Sequence, residues 1–297
     1  MKYPIVKAVV VFCSFVAIYA DAMAGERMPV FVSIQPQKYF VEKIGGNLTD
    51  VSILVASGAN VHSYEPKPRQ LLALAKSEMY FTVGTRFEKV LLKKLAGINP
   101  DMLIVHTESG IEKIPMKAHD HHKDRMHGES SHHEGIRDPH IWLSPRLVKI
   151  QAENILKGLT KSDPGHGPDY EKNFNMFIRE TDLLDSEIRK IFSEKGKHNR
   201  FMVFHPSWGY FAEDYGLEQV PIEAEGKEPG PAQLKALIEY AGKQGIRVIF
   251  AQPQFSDRSA KIVAKAIGAQ LVPADPFAGD WAGNLREMAG KIKAALK

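Results

Sequence analysis

Six histidines crowd one short segment (His119, His121, His122, His127, His132 and His133), and the motif Asp138-Pro139-His140-Ile141-Trp142-Leu143-Ser144-Pro145 follows it directly. Imidazole is the commonest protein ligand for borderline divalent metals, so this density points first to metal binding. The two halves of the stretch differ physically. The run is polar and of low complexity, without the apolar side chains needed to order it. It reads as a solvated loop whose histidines are either incidental or hold metal weakly, as auxiliaries. His140 instead lies between prolines and is anchored by Ile141, Trp142 and Leu143, which makes it the candidate for a fixed ligand.

Three more residues stand in the same topological position as His140, each beyond the carboxyl end of a predicted strand. His62 follows Val51–Ala56, His140 follows Met102–Thr107, His205 follows Phe201–Phe204, and Asp275 follows Gln270–Ala274. Open α/β sheets place their binding crevice there. Taken singly, a histidine is more often a hydrogen-bonded structural residue than a ligand; four in register argue for one site. Two come from each half of the chain, so the site is expected between two lobes. Three imidazoles and one carboxylate suit tetrahedral zinc, with ligand distances of about 2.0–2.2 Å. Manganese or magnesium would want more oxygen, whereas copper and nickel could bind the same set in a test tube. Neutral imidazole is the ligating form, so three such ligands predict steep loss of metal as pH falls through about 6.5.

The elements that must carry these residues alternate regularly. In the first half, strands are predicted at Val30–Ile34, Val51–Ala56, Met79–Val83 and Met102–Thr107, with helices at Pro36–Ile44, Pro68–Lys76 and Phe87–Leu95 between them. In the second half, strands at Phe201–Phe204, Gln219–Ile222, Arg247–Ala251 and Gln270–Ala274 alternate with helices at Trp208–Tyr215, Pro231–Lys243 and Ser256–Ile267, and Asn284–Leu296 closes the chain. Strand–helix alternation is the signature of βαβ units and a parallel sheet. The fold class is therefore α/β, with two Rossmann-like lobes and the metal site in the cleft between them. Joining the lobes, Tyr170, Phe174, Phe177, Leu184, Ile188 and Ile191 recur at helical spacing after Pro168, with Gly196 as a stop. That is one helix of roughly 26 residues and about 39 Å, long enough to brace both lobes.

The chain opens with Lys2 and Lys7 flanking an apolar run from Ala8 to Ala20, then Ala22-Met23-Ala24. This reads as a secretory signal cleaved after Ala24. The organisation expected is signal peptide 1–24, a first lobe 25–145 containing the histidine-rich loop 117–135, connecting helices 146–197, and a second lobe 198–297. The one cysteine, Cys13, lies in the signal, so neither a disulfide nor a thiolate metal site is available to the mature chain. No later window offers about 18 uninterrupted apolar residues, so no membrane span is expected. The formal charge of +4 on 297 residues, with no basic stripe interleaved with aromatics, gives no indication of nucleic acid. A zinc hydrolase would need an open coordination position beside a general base. The sequence has no His-Glu-x-x-His helix and no activated Ser or Cys, and a non-enzyme is expected.

The segments Gly58-Ala59-Asn60-Val61-His62-Ser63-Tyr64-Glu65-Pro66, Asp138 to Pro145, His205-Pro206-Ser207-Trp208-Gly209-Tyr210-Phe211, Gln252-Pro253-Gln254-Phe255 and Asp275-Pro276 resemble those of the zinc-binding substrate-binding proteins of ABC importers, the ZnuA type of cluster A-I. The resemblance spans essentially the whole mature chain. It implies a periplasmic monomer that delivers Zn²⁺ to an inner-membrane ABC permease, with limited hinge motion about the long helix. By position it implies His62, His140 and His205 as metal ligands and Asp275 as the carboxylate of the second lobe. Manganese-binding relatives usually carry a carboxylate where His205 stands, and the histidine-rich loop is likewise a feature of the zinc branch. Where some zinc members have an acid directly before the first histidine, this chain has Val61, which leaves Asp275 or a water as fourth ligand. Glu65 is expected to cap amides of the turn at Pro66 and Pro68, Trp142 and Trp208 to pack under the site, and Glu223, Glu225 and Glu228 to form a solvated cleft rim.

Overall fold

The computed structural model describes residues 27–116, 137–193, 199–223 and 227–296. In the first lobe, β1 (Met28–Val32), β2 (Thr49–Ile53), β3 (Met79–Thr82) and β4 (Leu103–His106) form a parallel sheet in the order β2-β1-β3-β4. The second lobe repeats the plan with β5 (Arg200–Val203), β6 (Glu218–Pro221), β7 (Val248–Ala251) and β8 (Gln270–Pro273), ordered β6-β5-β7-β8. Both sheets are parallel throughout, so each strand is connected to the next by a crossover. Strand order reverses at β1/β3 and at β5/β7, and ligands collect at the carboxyl ends beside such points.

Some strand ends, such as Met79, Ala251 and Gln270, fall where expected, and the others differ by one to three residues. β1 opens at Met28 and stops at Val32, because Ser33 and Ile34 already turn into the first helix, α1 (Gln35–Gly45). The buried Gln37 side chain settles that boundary: Oε1 accepts from Ser33 N at 3.0 Å, and Nε2 donates to Thr82 O at 2.9 Å. A sequence window sees apolar residues and cannot see a side chain taking over the backbone's hydrogen bonds. After α1 come α2 (Pro68–Leu74), α3 (Arg86–Ile98), α4 (Pro145–Ser162) and the long helix α5 (Gly167–Phe192). The second lobe carries α6 (Gly209–Asp214), α7 (Pro231–Lys243) and α8 (Arg258–Ile267), and α9 (Trp281–Ala295) closes the chain.

Helix α5 runs 26 residues and buries Tyr170, Phe177, Thr181, Leu184, Ile188 and Phe192. It packs on helices from both halves of the chain. Lys43–Glu180 (2.6 Å) and Asn173 Nδ2 to Ile44 O (3.1 Å) tie it to α1, whereas Arg286–Glu187 (2.6 Å) and Tyr215 OH to Asp185 Oδ1 (3.0 Å) tie it to the later elements. Helix α9 leaves the second sheet and lies against α1 and α5, with the Trp281 ring edge-on to Phe40 at 5.1 Å. Both rings are buried, and truncating either to alanine should cost about 3–5 kcal/mol.

The lobes are also stitched directly beneath the cleft. Trp142 Nε1 donates to Pro276 O (2.7 Å), Trp281 Nε1 donates to Trp142 O (2.6 Å), and Tyr210 OH donates to Asp138 O (2.9 Å). No helix among the described residues is long and apolar enough to cross a membrane.

Candidate metal centre

His62 lies in a 3₁₀ turn (Val61–Ser63) beyond β2. Asn60 Oδ1 caps this turn by accepting from His62 N at 2.8 Å. Val61 is buried and pins the segment, and the Tyr64 hydroxyl sits within hydrogen-bond reach of Leu54 O (2.6 Å) and Gln70 Oε1 (2.8 Å). Glu65 has no part in this. It is exposed, and the amide it was expected to cap, Lys67 N, donates to Gln70 Oε1 at 3.0 Å instead.

His140 enters from a short 3₁₀ turn (Ile141–Leu143) and is fully buried. Asp138 Oδ1 accepts from both His140 N (2.9 Å) and His140 Nδ1 (2.7 Å). With Asp138 ionised, Nδ1 carries the proton, and Nε2 is left as a lone-pair nitrogen, buried and without a hydrogen-bond partner. His205 follows β5, and its backbone is locked by Gln252 after β7: Oε1 accepts from His205 N (3.0 Å) and Nε2 donates to His205 O (2.8 Å). Its Nδ1 faces both oxygens of Glu223 at 3.1–3.2 Å, and Phe255 stacks on its ring at 4.3 Å.

The three rings converge. One nitrogen from each lies within 4.8 Å of the others, and His62 Nε2 meets His205 Nε2 at 3.0 Å. Two nitrogens on a tetrahedral zinc stand about 3.3 Å apart, so this pair is already near ligand spacing. Burial, followed by the neighbouring imidazoles, pushes the His62 pKa down to about 2, and burial holds His140 well below the ordinary histidine value. The cleft thus offers uncharged, ligating imidazoles. Burial also lifts the Asp138 carboxyl to about 7, against the pull of its bond from the His140 amide.

Asp275 is not brought into this trio. Its Oδ1 accepts from Gln254 Nε2 (2.6 Å) and Phe277 N (2.9 Å), so the turn after β8 holds the carboxylate as an internal cap. The six loop histidines, His119 to His133, lie outside the described residues, as does the signal segment 1–24. Trp142 and Trp208 are both buried, and Trp142 lies edge-on to His140 at 5.2 Å.

Two partners of the ligand set were not read from the sequence. Glu223, expected on a solvated rim, is buried against His205, because it follows β6 at the same carboxyl-end level as the histidines. Asp138 precedes His140 by two residues, a spacing that lets one carboxylate take both the amide and the imidazole N–H. In both cases a carboxylate holds Nδ1–H and presents Nε2, the arrangement that orients metal-binding histidines and raises their basicity.

Residues 30–295 match the family model described as "ZnuA: Zinc-uptake complex component A periplasmic". The chain belongs to the ZnuA family. A crystal structure of ZnuA superposes with a TM-score of 0.84 at 42% identity, covering 92% of this chain and all of that one. The high-affinity zinc uptake system protein ZnuA of Bacillus subtilis is 29% identical over 83% of this chain and 77% of its own length. The iron-binding protein YfeA of Yersinia pestis is also 29% identical, over 77% of this chain and 70% of its own. As a ZnuA-family member the chain is the periplasmic metal-binding component of a transport system, not an enzyme.

Proposed function

We propose that this protein captures Zn²⁺ in the periplasm and delivers it to an ABC-type permease, with His62, His140 and His205 as the protein ligands and water in the fourth position. The observation that carries this reading is His140 Nε2, a buried lone-pair nitrogen with no hydrogen-bond partner beside two other imidazoles. A polar atom left so is costly unless something binds it, and a cation does. Water suits the fourth place because the His62 residue reaches the solvent edge of the cleft even though its ring is packed against His140 and His205, and Asp275 Oδ1 is engaged elsewhere. The iron-binding relative brings a second metal into question. Three nitrogens with no carboxylate grouped among them favour zinc over oxygen-seeking ions. A signal cleaved after Ala24, a monomeric state and weak auxiliary zinc binding by the loop histidines complete the proposal.

Metal analysis of untagged protein, with zinc and manganese in competition, tests the choice of ion. Preference for manganese would overturn it. Calorimetric melting tests the ligands. Zinc at a thousandfold over Kd should add about 4 kcal/mol to wild-type stability. His140→Ala in a background lacking the loop should lose most of that shift, and an undiminished shift would refute the assignment.

A further inference from the structure

Beside Asp138 the two lobes enclose a pocket of about 440 Å³, inside the range of about 300–1,000 Å³ common to small-molecule sites. Ile114 and Pro115 of the first lobe and Ala212 and Leu217 of the second give it apolar walls. Asp138 is its polar end. The residue is 1% exposed, and Oδ1 is taken up by His140 N and Nδ1. Oδ2 has no hydrogen-bond partner among the described residues and stands against Gly209, also in the lining, where a Cβ would lie 2.7 Å from it. A side chain at position 209 would cover that oxygen, and glycine leaves it open. A buried carboxylate oxygen without a donor is costly, and an N–H from a ligand removes the cost. Glu213, the other charged group of the lining, is an acid as well. Lys113 and Arg137, near in the chain, are turned to backbone carbonyls: Lys113 Nζ donates to Gly84 O (2.8 Å) and Arg137 Nη1 to Lys113 O (3.0 Å). Two carboxylates without a cation select a positive ligand, and the four apolar residues select a short aliphatic body.

We propose that this pocket binds a small aliphatic primary ammonium, which donates to Asp138 Oδ2, and that its occupancy weakens zinc binding through His140. The effect on zinc rests on the ligand assignment above; the pocket itself does not. Asp138 holds His140 Nδ1 through its other oxygen, so a cation on Oδ2 draws off the negative charge that makes Nε2 a stronger donor to a metal. One shared carboxylate places the coupling at the low end of the ordinary range, about fivefold, and zinc must weaken the ammonium by the same factor.

The test titrates n-butylammonium chloride into the whole protein, apo and zinc-loaded, against potassium chloride at equal concentration, and follows the Ile, Leu and Ala methyl signals by NMR. In the apo protein the Ile114, Ala212 and Leu217 methyls should shift saturably, with a Kd on the order of millimolar for so small a ligand. 1-Butanol, which keeps the tail and loses the charge, should bind about tenfold more weakly. Glu213→Lys, an exposed position, should fold normally and abolish binding by giving the pocket a cation of its own. Chelator competition should show zinc held about fivefold more weakly at saturating butylammonium, in the wild type alone. Methyl shifts that are absent, that do not saturate, or that persist in Glu213→Lys would overturn the site. Equal binding of butanol would overturn the ammonium. Saturable binding with zinc affinity unchanged, or a loss of zinc affinity that persists in Glu213→Lys, would overturn the coupling. The His140→Ala melting described above contains no ammonium, so failure of the zinc ligand assignment shows there and failure of this pocket shows here.

Discussion

Replacing Asp138 by asparagine separates holding the metal from holding the fold. In the wild type Asp138 Oδ1 accepts from His140 N and Nδ1 at 2.9 and 2.7 Å. Asparagine keeps an oxygen in that place, so the tautomer and ring orientation survive, but the negative charge that makes His140 a better donor to a cation is gone. Loss of such an outer partner typically weakens metal binding 10–100-fold. The conservative substitution belongs near tenfold, about 1.4 kcal/mol, and Asp138→Ala nearer a hundredfold. The apo protein should respond in the opposite sense. Burial has pushed the Asp138 carboxyl up to about 7, so above that pH the fold carries the cost of an ionised group in a dry site, and the amide relieves it. The assay is chelator competition for zinc Kd, with apo melting measured in parallel at pH 7.5. A Kd within twofold of wild type would refute the coupling of Asp138 to the metal through His140. An apo protein that lost several kcal/mol would show that Asp138 is chiefly structural.

Four further outcomes follow from the same geometry. Glu223→Gln should weaken zinc by about tenfold through His205 without unfolding the protein; unchanged affinity would return Glu223 to the solvated role expected from sequence. Competition from protons should be shallower than three ordinary histidines would give. His62 and His140 are held neutral by burial, so the slope of log Kd against pH between 6.5 and 5 should be well below three, and titrations at three pH values giving a slope near three would refute this. The same depressed values mean that the unfolded chain takes up protons which the folded apo protein refuses. Apo stability should therefore fall as pH drops below about 6.5, with Asp138, shifted the other way, offsetting part of the loss. Deleting Lys117 to Gly135 should leave one tight zinc equivalent and an unchanged melting temperature, because the flanking Pro115 and Arg137 are already paired side by side and a short link can join them. Calorimetric titration showing loss of the tight equivalent would place a primary ligand in the loop.

Local sequence carried a good deal of this protein. Strand–helix alternation, the helical stripe from Tyr170 to Ile188 and the position of His62, His140 and His205 beyond strand ends are written at short range, in periodicities that one segment displays by itself. A ligand type is a local property too, so imidazole rather than thiolate or carboxylate was legible before any fold. What surrounds each ligand is not local. Glu223 is 18 residues from His205, and only the parallel pairing of β5 with β6 brings the two strand ends level, turning an acid read as solvated into the partner of Nδ1. Asp275 shares the strand-end position of the histidines, yet a hydrogen bond from Gln254 and the amide of Phe277 turn its Oδ1 inward. The histidine pKa values belong wholly to tertiary structure, since desolvation and neighbouring rings act only once segments some 80 and 140 residues apart in the chain are packed within a few ångströms. Chain pattern determined which atoms could ligate, and packing decided which of them face one another.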